Sequence, residues 1–157
     1  HTGLPALADD SGSCVEALAG APGVHWARCA GPPAAGDTSG RAGQDERNNR
    51  KLLDLLKNAT NRKAHYYCVI VLVRRADDPQ PIICEAEWHG EIVKTPRGSG
   101  GFGYDPLFLL PALNKTGAEL KADEKNRISH RAQALTLLAQ RLRAERREAR
   151  GERSVRR

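Results

Sequence analysis

Asp9 and Asp10 are adjacent carboxylates followed by the Ser11 hydroxyl, and the three close a short apolar run that starts at Leu4. Carboxylates at the end of a buried strand are suited to hold a metal, because ligands and catalytic groups of α/β proteins gather beyond the carboxyl ends of strands. Residues 4–8 read as that strand, with Gly12 letting the backbone turn, so that Asp9 and Asp10 stand at its rim. Successive residues of an extended segment point to opposite faces, so one of the two carboxylates faces the chemistry and the other braces the loop. The same residue types also suit an ordinary turn.

Two further stretches carry polar or aromatic groups in unusual settings. Residues 96–106, Pro-Arg-Gly-Ser-Gly-Gly-Phe-Gly-Tyr-Asp-Pro, place four glycines within six residues around a lone Phe102. Such a loop lets backbone approach a ligand, yet it lacks the Gly-Lys-Ser/Thr ending of a P-loop. A flat ring between residues without side chains suits a planar ligand such as a base, and equally a core anchor in a flexible loop. The third stretch is Ser129-His130-Arg131, where Ser129 is a natural N-cap and two potential cations occupy a helix's first turn. The macrodipole favours cations at the other end, so the placement is either functional or relieved by a neutral His130 and a carboxylate partner for Arg131.

The elements that must position these groups follow from pattern. A short helical turn and a tight loop are predicted over 15–24, and Arg28 follows on a segment with Trp26. A Gly/Pro/Ala-rich loop spans 31–43, and a helix is predicted from an Asp45 N-cap to about Asn58, with Leu52, Leu53, Leu55 and Leu56 as its apolar stripe. Strands are predicted at 65–73 and 82–88 around a turn at 76–81, with a third strand at 91–95 completing a meander. Another buried strand is expected at 107–110, then a polar connection over 114–126, then a long helix from Ser129 with Leu135, Leu138, Ala139 and Leu142 on one face.

A length of 157 residues with 39% apolar and 28% charged side chains describes one globular domain. The longest apolar run, residues 68–73, is far too short to cross a bilayer. Cys14, Cys29, Cys68 and Cys84 show no Cys-x-x-Cys spacing and are expected to be reduced, in a cytoplasmic protein. Of the net charge of +6, residues 141–157 supply +5 through eight Arg and three Glu, leaving a nearly neutral body. With no aromatic or motif beside it, this stretch is read as a solvated helix end running into disorder rather than a nucleic-acid arm. The expected division is a globular domain over 1–142 and a basic helix end or tail over 143–157. The absence of Met, even at position 1, suggests a fragment of a longer product.

Four ordered motifs can be read together: Leu-Pro-Ala-Leu-Ala-Asp-Asp-Ser-Gly at 4–12, Gly-Ala-Pro-Gly-Val at 20–24, Gly-Gly-Phe-Gly-Tyr-Asp-Pro-Leu-Phe at 100–108, and Glu-Lys-Asn-Arg-Ile-Ser-His-Arg at 124–131. Their order and spacing resemble the inosine triphosphate pyrophosphatase family, over residues 4 to about 142. The resemblance implies a mixed α/β fold with an elongated central sheet, flanking helices and a substrate cleft between two lobes. It implies cleavage of inosine, xanthosine and related purine nucleoside triphosphates to the monophosphate and pyrophosphate, in a Mg²⁺-dependent homodimer. Asp10 matches the catalytic carboxylate and metal ligand, with Asp9 supporting. Ser11, Phe102, Gly103, Tyr104, Asp105, Lys125, His130 and Arg131 match substrate contacts, with Phe102 stacking on the base.

The chain departs from the family pattern in three places. The family's N-terminal strand, its phosphate-binding loop with a lysine and a following acidic region have no counterpart here, the 31–43 loop is longer, and Ala132 stands where Gly is common. The expectation is therefore an open sheet edge and impaired hydrolysis, and the alternative reading is a nucleotide-binding fragment of such an enzyme.

Overall fold

The computed structural model describes residues 3–33 and 35–155, with side chains through residue 148. Among these residues twelve short and long elements form one mixed α/β unit around a six-stranded sheet of order β2-β1-β3-β4-β5-β6, in which every pairing is antiparallel.

Its centre is the hairpin of β3 (Lys63–Val73) and β4 (Ile82–Ile92), where β-branched and aromatic residues alternate with polar ones at a period of two. Ala64, Tyr66, Cys68 and Ile70 of β3 and Ile82, Cys84, Trp88 and Ile92 of β4 are buried on one face. That single face receives both long helices. Leu52 and Leu56 at the end of α1 (Gly40–Leu55) pack with Val15, Tyr66 and Phe108, and Ala134 and Leu138 of α3 (His130–Val155) pack on Cys68, Ile70 and Cys84. The opposite face carries half-exposed Tyr67 and Val69 and the exposed Glu85, Glu87 and His89.

β1 (Ala6–Val15) pairs with β3 along its whole length, from Ala6 opposite Val73 to Val15 opposite Ala64. The strand expected to end at Ala8 therefore runs through Asp9-Asp10-Ser11-Gly12, and Gly12 is no turn. Its missing side chain serves close packing instead, since a Cβ there would lie 3.0 Å from the carbonyl carbon of Gly23 on β2 (Pro22–Gly23). β2 meets β1 only at Ser13 and Cys14, so among the described residues the 6–12 segment has a strand partner on one side alone.

Three other expectations are corrected. α1 begins at Gly40 rather than at Asp45, because Asp37 accepts the Ser39 N–H at 2.8 Å and pairs with Arg47, anchoring an extra turn. No third strand forms over 91–95. Gly90 leaves room for Phe108, so β4 continues to Ile92 and there pairs with β5 (Phe108–Leu110). The polar connection over 114–126 is structured: β6 (Lys115–Thr116) leads into a 3₁₀ turn closed by a reciprocal Thr116/Glu119 capping box, then into α2 (Ala122–Ile128).

The basic stretch expected to run into disorder is helical through Val155. Arg74, after β3, pairs with both Asp78 and Glu145, which ties the far part of α3 to the β3–β4 turn. The start of α3 matches expectation, Ser129 Oγ accepting the Ala132 N–H at 3.3 Å. All four cysteines are free thiols, with Cys68 and Cys84 buried as expected. Among the described residues no helix is long and apolar enough to cross a membrane.

Candidate active site

Between β1, the Gly-rich loop and the start of α3 lies a cavity of about 310 Å³, large enough for part of a nucleotide. Most of the residues singled out from sequence meet there. Ser11, Phe102, Tyr104, Asp105, Lys125, His130 and Arg131 all line it.

β1 sorts its two carboxylates by alternation. Asp9 and Ser11 share the face that carries the helices, where Asp9 Oδ2 accepts a bond from Arg131 Nε at 2.7 Å. The Ser11 hydroxyl is buried on that side, opposite Cys68 in the ladder. Asp10 points to the other face, is exposed, does not line the cavity and accepts the Ser11 N–H at 2.8 Å through its own Oδ1.

The Gly-rich loop is held from two directions. Asp45 and Asn49, one turn apart on α1, hold the backbone of Gly103 from both sides: Asp45 Oδ2 accepts the Gly103 N–H at 2.8 Å, and Asn49 Nδ2 donates to the Gly103 carbonyl at 3.0 Å. Gly103 sits at φ +61°, and a Cβ there would collide with the Trp26 ring at 2.5 Å, so both conformation and space call for glycine. Inside the loop, buried Asp105 accepts the Phe102 N–H at 2.8 Å and pairs with Lys125 from α2. The Tyr66 hydroxyl donates to Asp105 at 3.4 Å, and burial together with that carboxylate holds the phenol protonated. These contacts leave the Phe102 ring 47% exposed, with the Lys125 ammonium 4.9 Å from its centroid.

His130 is the first residue of α3. Its ring stacks on Tyr66 at 5.0 Å between centroids and on Trp88 at 6.3 Å. Burial, with Arg131 and Lys125 nearby, lowers its pKa to about 4, so it is a neutral imidazole at ordinary pH, and its buried Nδ1 has no hydrogen-bond partner among the described residues. A neutral ring removes the conflict between a cation and the helix N-terminus.

Residues that the sequence did not flag as functional also take part. Trp26 lines the cavity beside Phe102, and Asp45 and Asn49 brace the loop. The Asp45/Asn49 spacing of four on a helix was a usable signal. Trp26 carried none beyond following the Gly-Ala-Pro-Gly turn.

Among the described residues no group of three or more His, Cys, Asp or Glu side chains gathers in a way that could hold a metal ion by itself. The hard oxygen donor chemistry of exposed Asp10 nevertheless fits magnesium, which takes one or two carboxylates and completes its shell with phosphate oxygens and water.

Comparison with known proteins places the chain. The sequence model of the Ham1 family matches residues 1–141. A dITP/XTP pyrophosphatase of Nitrosomonas europaea is 60% identical over 141 residues, which are 90% of this chain and 65% of that protein. A dITP/XTP pyrophosphatase of Ralstonia nicotianae is 59% identical, with 90% of this chain and 67% of that protein covered. The HAM1 protein from Coxiella burnetii superposes with a TM-score of 0.81 at 46% identity, over 91% of this chain and 69% of that one. The chain spans about two thirds of the length of the curated relatives it matches. With its family model, its close relatives and its sheet in agreement, the chain belongs to the Ham1 family.

Proposed function

We propose that this chain carries the base-recognition site and the Asp10 carboxylate of a pyrophosphatase for inosine, deoxyinosine and xanthosine triphosphates, which releases the monophosphate and pyrophosphate and so keeps such bases out of nucleic acid. The observation that supports this reading best is the cavity that an exposed Phe102 ring lines together with the donors of Lys125 and Arg131. The dITP/XTP pyrophosphatases at 60% and 59% identity point the same way.

In this reading Phe102 stacks on the base, while the Gly103–Asp105 backbone, fixed by α1 and by the Lys125 pair, sets its edge. Arg131, with Nε committed to Asp9, keeps its terminal nitrogens as donors to a 6-keto oxygen. Adenine offers an amine at that position, and a donor facing a donor is left unpaired, a mismatch that discriminates strongly. Neutral His130 supplies one donor or acceptor without adding charge, and the Ser11 hydroxyl contacts the substrate beside it. Asp10 directly precedes Ser11 on β1, which directs the phosphates of a base held in the cavity along that strand towards Asp10. When bound, magnesium would be held by Asp10 and would neutralise phosphate charge. Asp10 also takes a proton from the attacking water, and Asp9 braces the strand through Arg131. The cavity is then part of a cleft between two lobes, the domain ends near residue 142, and the protein works as a cytoplasmic homodimer.

A second reading, a chain that binds the nucleotide without turning it over, is favoured by Asp10 lying outside the cavity and by the lack of a multi-carboxylate group among the described residues. One assay separates them: pyrophosphate release from inosine triphosphate with Mg²⁺, beside calorimetric binding of the same nucleotide, with adenosine triphosphate as the control. Selective binding with turnover supports the enzyme. Selective binding without turnover supports the second reading, and no preference over adenosine triphosphate rejects both.

A further inference from the structure

Trp26 is a large aromatic side chain that lines the cavity beside Phe102 and that the base-recognition reading leaves unused. Its position is set on three sides. The indole N–H donates to the Ser11 carbonyl at 3.1 Å, the Tyr104 hydroxyl donates to the Trp26 carbonyl at 3.3 Å, and the ring lies against Gly103, where no side chain would fit. Its ring centroid is 6.2 Å from that of Phe102, with the planes tilted by 38°.

Two rings that hold a flat base between them must stand about 7 Å apart, twice the ~3.4 Å spacing of stacked bases. The centroid separation of 6.2 Å is near that value, the 38° tilt must close towards parallel for a base to enter, and the two partners differ in freedom. Trp26 is half-buried and bonded to β1, whereas Phe102 is exposed on a glycine-rich loop. Opening the slot needs Phe102 to move outward and turn towards parallel against a Trp26 ring tied to β1 by its indole N–H.

Resting on the base-recognition reading, we infer that Trp26 and Phe102 form an aromatic clamp for the purine ring, with Trp26 the fixed jaw and Phe102 the moving one. The indole N–H adds a second consequence: it registers the base to the backbone of Ser11, the residue next to Asp10. Arg41, whose guanidinium lies 5.3 Å from the Phe102 centroid, and Lys125 on the same ring give the moving jaw cationic partners.

The test uses inosine, which presents base and sugar without phosphate, and the whole 157-residue chain. In the unmodified protein, saturating inosine should shield indole emission from acrylamide, since the other tryptophan, Trp88, is only 7% exposed. Trp26→Leu should weaken inosine binding about tenfold or more, the range for loss of one base–aromatic stack, and Trp26→Phe should restore most of it. Absence of shielding overturns the clamp whatever the variants do. Unchanged affinity in Trp26→Leu beside a clear loss in Phe102→Leu also overturns it, leaving the base site itself standing. Unchanged affinity in both variants overturns the clamp and the base-recognition reading together.

Discussion

Arg131 Nε and Asp9 Oδ2 meet at 2.7 Å, joining the first turn of α3 to β1 across 122 residues of sequence. The pair is 46% and 36% exposed, so its contribution to stability is small, but it fixes a guanidinium that would otherwise sweep the cavity mouth. Asp9→Ala should therefore change unfolding free energy by less than about 1 kcal/mol while lowering the preference for inosine over adenosine triphosphate. Urea melts and competition binding check the two halves. A large stability loss with selectivity intact would assign Asp9 to the scaffold.

The exposed carboxylate of Asp10 accepts its neighbour's amide, the Ser11 N–H, at 2.8 Å. Asp10→Asn keeps an oxygen for that amide, so the melting temperature should stay unchanged. Loss of the water-activating carboxylate should slow turnover roughly 10²–10⁴-fold or more. Near-normal pyrophosphate release would remove Asp10 from the chemistry.

Asp105 carries the loop's internal order, holding the Phe102 amide, Lys125 and Tyr66 at once from a buried position. Asp105→Ala leaves the Lys125 ammonium without its partner and should cost about 3 kcal/mol, measured by denaturant unfolding. Lys125→Met should cost less, because Asp105 retains its two other donors. Reversal of that order would mean that Lys125, not Asp105, organises the loop.

His130 makes stability depend on pH in a defined direction. In the unfolded chain it takes up a proton near 6.5, in the folded chain only near about 4. Between those values the unfolded state holds more protons, so the contribution is complete above about pH 6.5 and falls away as pH drops towards 4. The melting temperature should decline over that window, and His130→Gln should flatten the decline. An identical slope in the variant would place the titrating group elsewhere.

Much of this site is legible in one dimension, for local reasons. A glycine-flanked Phe102, a Ser129 cap before His130-Arg131 and alternating β3 and β4 strands each follow from backbone preference within a few residues, and each stands where expected. The ambiguities lay where a local preference competes with a distant partner. Asp9-Asp10-Ser11-Gly12 has turn chemistry, but the β-branched run of β3 pairs with it and Gly12 is taken up by contact with Gly23. Asp45 looks like a helix cap because that is its commonest local use, and only packing of α1 against the Gly103 peptide reveals its real task.

The residues by themselves determined the local grammar: which segments extend, which coil, and which side chains have the chemistry for a base, a carboxylate-bound metal or a helix N-terminus. The tertiary structure decided which of those groups share a cavity. Strand alternation, a matter of register with β3, sends Asp9 towards Arg131 and Asp10 to the opposite face, and the fold brings Trp26 to Phe102 from 76 positions away. Such relations depend on long-range packing of the sheet against α1 and α3, where burial outweighs the weak local preferences that a sequence displays.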